Sequence, residues 1–212
     1  MCLEENIAEI LNIPASDFSI ATGLIIEYKD NYLFSVQNEE KWRDDNGIYN
    51  IGIVGIGGGR EGNESIETCL LRECMEEIDE PLTIINEQTT IRVEEDMSFS
   101  VINADLSFLG KAPFAISIAK NVTHNHYKKP FTVVFSYRTT IDHIPATCDV
   151  YGFVLCPKDK IDEINLKGMF YQDWINLGCQ FIVKGELLEN SKLIPFGTFK
   201  SFITLKAKQY NI

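Results

Sequence analysis

Gly58, Glu64, Arg72, Glu73, Glu76 and Glu77 are the residues whose types and spacing can do chemistry in this chain. Ionised carboxylates are hard oxygen ligands, suited to Mg²⁺ or Mn²⁺. At about 100° per residue, Glu73, Glu76 and Glu77 fall within roughly one 100° arc of a helix. Leu70, Leu71, Cys74 and Ile78 occupy a separate arc, which can pack against a core. Three carboxylates that close repel one another in a folded protein unless a cation sits among them. That repulsion is the physical reason to expect a divalent ion here. Upstream, Gly57, Gly58 and Gly59 lead into the helix start, where bare backbone can approach a ligand closely. A glutamate-rich helix alone would be a solvated face. The glycines and Glu64 make the constellation a candidate working site.

From Gly58 to Glu80 the chain reads GGREGNESIETCLLRECMEEIDE. This stretch resembles the Nudix box, G-x5-E-x7-R-E-U-x-E-E-x-G-U, where U is a bulky apolar residue. Gly58, Glu64, Arg72, Glu73, Glu76 and Glu77 match, and Cys74 is a small occupant of the first U position. Asp79 stands in place of the glycine and Glu80 in place of the last apolar residue. Both departures concern how the helix stops: Asp tolerates the left-handed conformation, and Pro81 forbids continuation.

The resemblance implies an α+β fold, an α/β/α sandwich around a mixed sheet. It also implies hydrolysis of a phosphoanhydride bond in a nucleoside diphosphate linked to another moiety, or in a similar diphosphate, with Mg²⁺ or Mn²⁺ as cofactor. Carried over by position, Glu73, Glu76 and Glu77 would be metal ligands, and the Gly58 region would add a backbone carbonyl. Gly58 and Gly59 would line the substrate. Glu64 and Arg72 would fix the helix to its loop, with Arg72 a clamp for carboxylates rather than a phosphate binder. The box does not assign the general base; Asp142, Asp149, Asp159, Asp162 and Glu163 are downstream acids from which one could come. The proline that marks ADP-ribose pyrophosphatases is Glu95 here, and nothing else selects a substrate. A nucleotide-binding regulatory module that does not hydrolyse is the alternative; the intact glutamates favour the enzyme.

These residues need elements to hold them. Residues 49–56 read as a strand that delivers the glycines, and 64–78 as the helix. Residues 22–27 and 32–37 are β-rich around a turn at Lys29, Asp30 and Asn31. Further strands are expected at 82–93, 98–106, 114–118, 131–140 and 150–155, the fourth rich in β-branched and aromatic residues. Helices are expected at 4–11, 158–164, 171–177 and after Phe196. The core should span about 21–177 of a single domain of 212 residues, with short additions at both ends. The apolar Leu193, Ile194, Phe196, Phe199, Phe202 and Ile203 must be covered, by the same chain or by a homodimer contact, and the reading leans to the dimer.

A net charge of −12 excludes a protein that holds nucleic acid through clustered cations. It also makes an anionic small-molecule substrate depend on bridging cations. No run is long and apolar enough for a membrane span, and the acidic start is unlike a signal peptide. The six cysteines include no C-x-x-C pair, so a cytoplasmic protein with reduced thiols is expected. His124 and His126 have zinc-like spacing but no third ligand nearby, and read as loop histidines.

Overall fold

The computed structural model describes residues 2–121 and 129–208. Its frame is a mixed sheet built on β1 (Phe18–Tyr28), which pairs in parallel with β8 (Phe131–Ile141) from Phe18 opposite Phe131 to Tyr28 opposite Ile141. β1 turns through Lys29, at φ 51°, into antiparallel β2 (Asn31–Val36). The alternation of apolar residues in these strands feeds two cores, one on each face. Leu24, Ile26 and Leu33 enter the first core, whereas Ile25, Tyr32 and Phe34 enter the second.

Helices α1 (Leu3–Leu11) and α2 (Ile66–Ile78) cover the first face with Ile7, Leu11, Ile66, Leu70, Cys74 and Ile78. The second face is covered by α3 (Tyr171–Asn176), through Trp174, and by α4 (Gly197–Ala207), through Phe199, Phe202 and Ile203. A sheet between two helical layers is the α/β/α sandwich expected above.

The remaining strands extend this frame. β3 (Arg43–Asp45) and β4 (Ile48–Val54) form a hairpin, and β4 joins the C-terminal end of β2. β5 (Ile91–Val93), β6 (Phe99–Val101) and β7 (Ala115–Lys120) continue beyond β8. β9 (Gly152–Pro157) lies along the other edge of β2 and carries β11 (Gln180–Val183). β12 (Ser191–Pro195) runs parallel to β4 and carries the two-residue β10 (Met169–Phe170).

Three expectations are corrected. The core does not stop near residue 177, because β12 flanks β4 and α4 is the main cover of the second face. Leu193, Phe199, Phe202 and Ile203 are therefore buried within one chain, and the apolar tail that suggested a dimer is already covered; Phe196 stays exposed. Of residues 82–93 and 98–106, only the short β5 and β6 are strand. The rest is extended chain whose Leu82 and Ile84 pack on the first core without joining a ladder. His124 and His126 lie outside the described residues. Among the described residues, no helix is long and apolar enough to cross a membrane, and all six cysteines are free thiols.

Candidate active site

β4 runs out at Val54 into Gly55–Gly59, which continues along β1 rather than looping free. Leu24 and Ile56 exchange backbone hydrogen bonds at 2.7 and 3.1 Å, and Thr22 N donates to Gly58 O at 2.9 Å. Gly57 must be glycine: its φ is +143°, and a Cβ would stand 2.4 Å from Thr22 O. At Gly58 the constraint is space, since a Cβ would lie 2.5 Å from the Glu73 carboxylate.

The helix that follows is set at both ends. Ser65 Oγ accepts from Thr68 N at 3.1 Å, an N-cap that satisfies one unpaired amide. Asp79 closes α2 at φ 52°, ψ 37°, and its amide donates to Met75 O. An aspartate thus adopts the left-handed turn that a glycine would adopt more cheaply. Cys148 N, from the segment between β8 and β9, donates to the Glu77 carbonyl and secures the last turn.

The buried face of α2 is wider than the apolar arc of the helical wheel. Ile66 and Cys69 are buried beside Leu70, Cys74 and Ile78, while Leu71 moves to the margin. The acidic side chains therefore rise from the rim of the buried face. Glu73 is 13% exposed at its side chain and Glu76 53%.

Arg72 organises this rim. Its Nε and Nη2 grip both oxygens of Glu64 at 3.2 and 2.9 Å, and Nη2 also reaches Gly59 O at 2.9 Å. Nη1 donates to Glu73 at 2.8 Å and Glu76 at 3.0 Å. The hydrogen bonds from Arg72 hold the Glu64 carboxyl down at about 2. Glu77 has no such partner. Among the described residues its Oε2 accepts only from Gly57 N at 3.0 Å, and burial pushes its carboxyl up to about 8, with Glu73 and Asp149 adding repulsion. Burial also raises Glu73, outweighing the pull of Arg72 beside it. The nearby thiols are inert: desolvation lifts Cys69 to about 11 and Cys74 to about 12.

The acids and glycines of the motif are thus brought to one rim, with Gly58 and Gly59 beneath it. The Gly58 carbonyl is already bonded to Thr22 N, with the Cys69 thiol 4.0 Å away. Among the described residues, no group of three His, Cys, Asp or Glu converges on a point that would hold a metal ion. The reason is visible: the Arg72 guanidinium lies between Glu73 and Glu76, where a cation would go. The donor set nevertheless fits a hard divalent ion. Glu73 and Glu77 are half-buried carboxylates that desolvation holds above their ordinary range, Glu73 in spite of Arg72 beside it, and a divalent cation relieves that condition.

The five downstream acids separate cleanly. Asp142 pairs with His143 at 2.7 Å, Glu163 pairs with Lys160, and Asp159 and Asp162 act on the same lysine at the far end of β9. Asp149 is exposed, acts on Glu77, and is tied to the end of β2 by Asn38 Nδ2 on its carbonyl at 3.2 Å. Lys41 supplies a favourable charge felt by Glu77. Sequence reasoning did not single out Lys41, nor Thr22 and Arg60, because their spacing from the glutamates follows from sheet pairing.

No family model matches the chain, and no curated protein matches it. Solved structures do. A Nudix family hydrolase from Clostridium perfringens is 14% identical over 69% of this chain and 86% of that one, with a TM-score of 0.45. The MutT protein of Methanosarcina mazei Go1 is 13% identical over 76% and 92%, with a TM-score of 0.43. The dihydroneopterin triphosphate pyrophosphohydrolase of E. coli is 12% identical over 65% and 80%, with a TM-score of 0.39.

Proposed function

We propose that this protein is a metal-dependent hydrolase that cleaves a phosphoanhydride bond in a nucleoside diphosphate linked to another moiety, or in a similar diphosphate. The observation that carries the reading is the pair of rim carboxylates Glu73 and Glu77, held beside Gly58 and Gly57, with one guanidinium, Arg72, shared among Glu64, Glu73 and Glu76 and none on Glu77. The acids gathered there outnumber the cations that face them, an excess of negative charge that a divalent ion offsets.

Glu73 and Glu77 would hold Mg²⁺ or Mn²⁺, with Glu76 joining once it leaves Arg72. Held there, such an ion would supply positive charge against diphosphate oxygens and would lower the pKa of water. Arg72 keeps Glu64 and Gly59 in register with the helix. The Gly57–Gly59 backbone leaves room for a phosphate to come close. Asp149, exposed and near enough for its charge to act on Glu77, is the downstream acid assigned to take the proton of the attacking water. Glu67 also belongs to α2 but faces Gly110 and Tyr137 and has no part in the reaction.

The test is a panel of nucleoside diphosphate derivatives assayed with Mg²⁺ and with Mn²⁺. Metal-dependent release of two phosphorylated products, one from each side of the anhydride, is expected from at least one compound. Tight binding of a nucleotide without turnover under either metal would instead establish a regulatory binding module.

A further inference from the structure

Arg60 belongs to the stretch between the glycines and α2, yet its side chain is only 10% exposed and points away from the glutamates' rim toward α1. Its Nη1 donates to Glu4 Oε1 at 2.6 Å and its Nε to the Glu64 carbonyl at 2.6 Å. Its own amide donates to Ile20 O at 2.9 Å, so the residue is held by β1, by α1 and by the start of α2 at once. Glu64 is the hub these contacts reach. Its carbonyl takes Arg60, its Oε1 takes Glu61 N at 2.8 Å, and both its oxygens take Arg72. Arg72 in turn orients Glu73. A series of hydrogen bonds from charged donors therefore runs from the first turn of α1, through the backbone and carboxylate of Glu64, to the Glu73 carboxylate of α2 beside Gly58.

Helix α1 is itself firmly seated, with Ile7 and Leu11 buried in the first core. It offers a fixed anchor for a guanidinium that would otherwise sit on an irregular loop with a strong tendency to wander. Charge-assisted hydrogen bonds at such a place trade little mobility for a defined geometry.

We propose that Arg60, gripped by Glu4, is a positioning residue of the active centre, and that α1 is thereby a working part of the site. This rests on the hydrolase reading given above. Arg60 acts through Glu64 and Arg72 and does not touch substrate.

The experiment compares wild type, Glu4→Gln, Arg60→Gln and the double variant, with Glu9→Gln, exposed on the same helix, as control. Two readouts are taken: amide exchange across residues 56–64 by mass spectrometry, and kcat and KM on a nucleoside diphosphate derivative that the wild type turns over with Mg²⁺. Glu4→Gln is expected to speed exchange in 56–64, to leave β1 and β8 unchanged, and to lower kcat about tenfold at constant KM, since small misplacements of a reacting group cost rate. The double variant should be no worse than Arg60→Gln alone, because the two residues act as one unit. Arg60→Lys, which keeps the charge, should fall between wild type and Arg60→Gln, and it replaces the latter if that variant does not fold. Unchanged exchange and kcat in Glu4→Gln would overturn the proposal. So would a raised KM with intact kcat in the Arg60 variants, which would make Arg60 a substrate contact. If the wild type turns over nothing, the hydrolase reading fails, while the exchange comparison still decides whether the latch exists.

Discussion

Glu64 and Glu77 bracket the same helix and meet opposite electrostatic fates. Glu64 is paired twice by Arg72 and its carboxyl lies near 2; Glu77 faces one backbone amide and lies near 8. Desolvation raises both. At Glu64 the guanidinium outweighs it, and at Glu77 nothing does. The difference separates a carboxylate that builds the site from one that is kept ready for an external charge.

Exchanging each acid for its amide tests this division most directly. Glu77→Gln should lower kcat by about 10³-fold or more, because it removes a charged ligand while keeping shape. The same variant should leave the metal-free protein at least as stable as wild type at pH 8, where an unpaired buried charge is lost. Glu73→Gln should approach the same loss of rate. A Glu77→Gln enzyme with near wild-type turnover would end the comparison.

Asp149→Asn should cost about 10²-fold in kcat at unchanged KM, within the range of general-base removal. Glu64→Gln should cost less in rate, about tenfold, but it alone should destabilise the protein, by roughly 1–3 kcal/mol, since Arg72 loses its best partner. Urea denaturation of metal-free protein would measure that.

The two acids also predict opposite pH dependences of stability. The folded Glu77 carboxyl lies above its ordinary 4.5, so its contribution is present below about pH 4.5 and is lost as pH rises to 8. The folded Glu64 carboxyl lies below it, so its contribution is present above pH 4.5 and is lost as pH falls toward 2. Metal-free protein should thus lose roughly 2–4 kcal/mol between pH 5 and 8, a slope that Glu77→Gln removes. Mn²⁺ should remove it as well, and binding should strengthen over the same interval as the ligand ionises. The smallest effect belongs to Glu67→Gln, which should leave activity within about twofold of wild type, as a charge outside the acidic rim.

Sequence periodicity located most of what carries these residues. β1, β2, β4, β8 and α2 were readable because alternation or helical spacing coincided with turn and cap residues such as Lys29 and Ser65. The wheel misjudged α2 at Cys69 and Leu71, because burial follows the neighbours a helix meets and Thr22 of β1 and Gly58 lie against Cys69. Residues 82–93 have strand-like composition but mostly lack a partner edge. Arg72 with Glu76 is an i,i+4 pair, which helical spacing does encode. The nearness of Asp149 to Glu77 and the reach of Arg72 to the Gly59 carbonyl depend instead on how the chain folds back on the helix.

The parallel pairing of β12 with β4 has a consequence for how the molecule is made. Ser191 lies opposite Tyr49 and Pro195 opposite Ile53, so the strand that delivers the glycines has its flanking neighbour at the far end of the chain. Synthesis proceeds from the N-terminus, so β4 waits with an open edge, and Ile51 and Ile53 wait without Phe199 and Phe202 above them. Pairings this distant in sequence close slowly, and an unpaired apolar edge is where chains stick to one another. β4 is therefore among the last strands of a nascent molecule to be secured on both sides, and the interval before β12 and α4 emerge is when this protein most needs protection from aggregation.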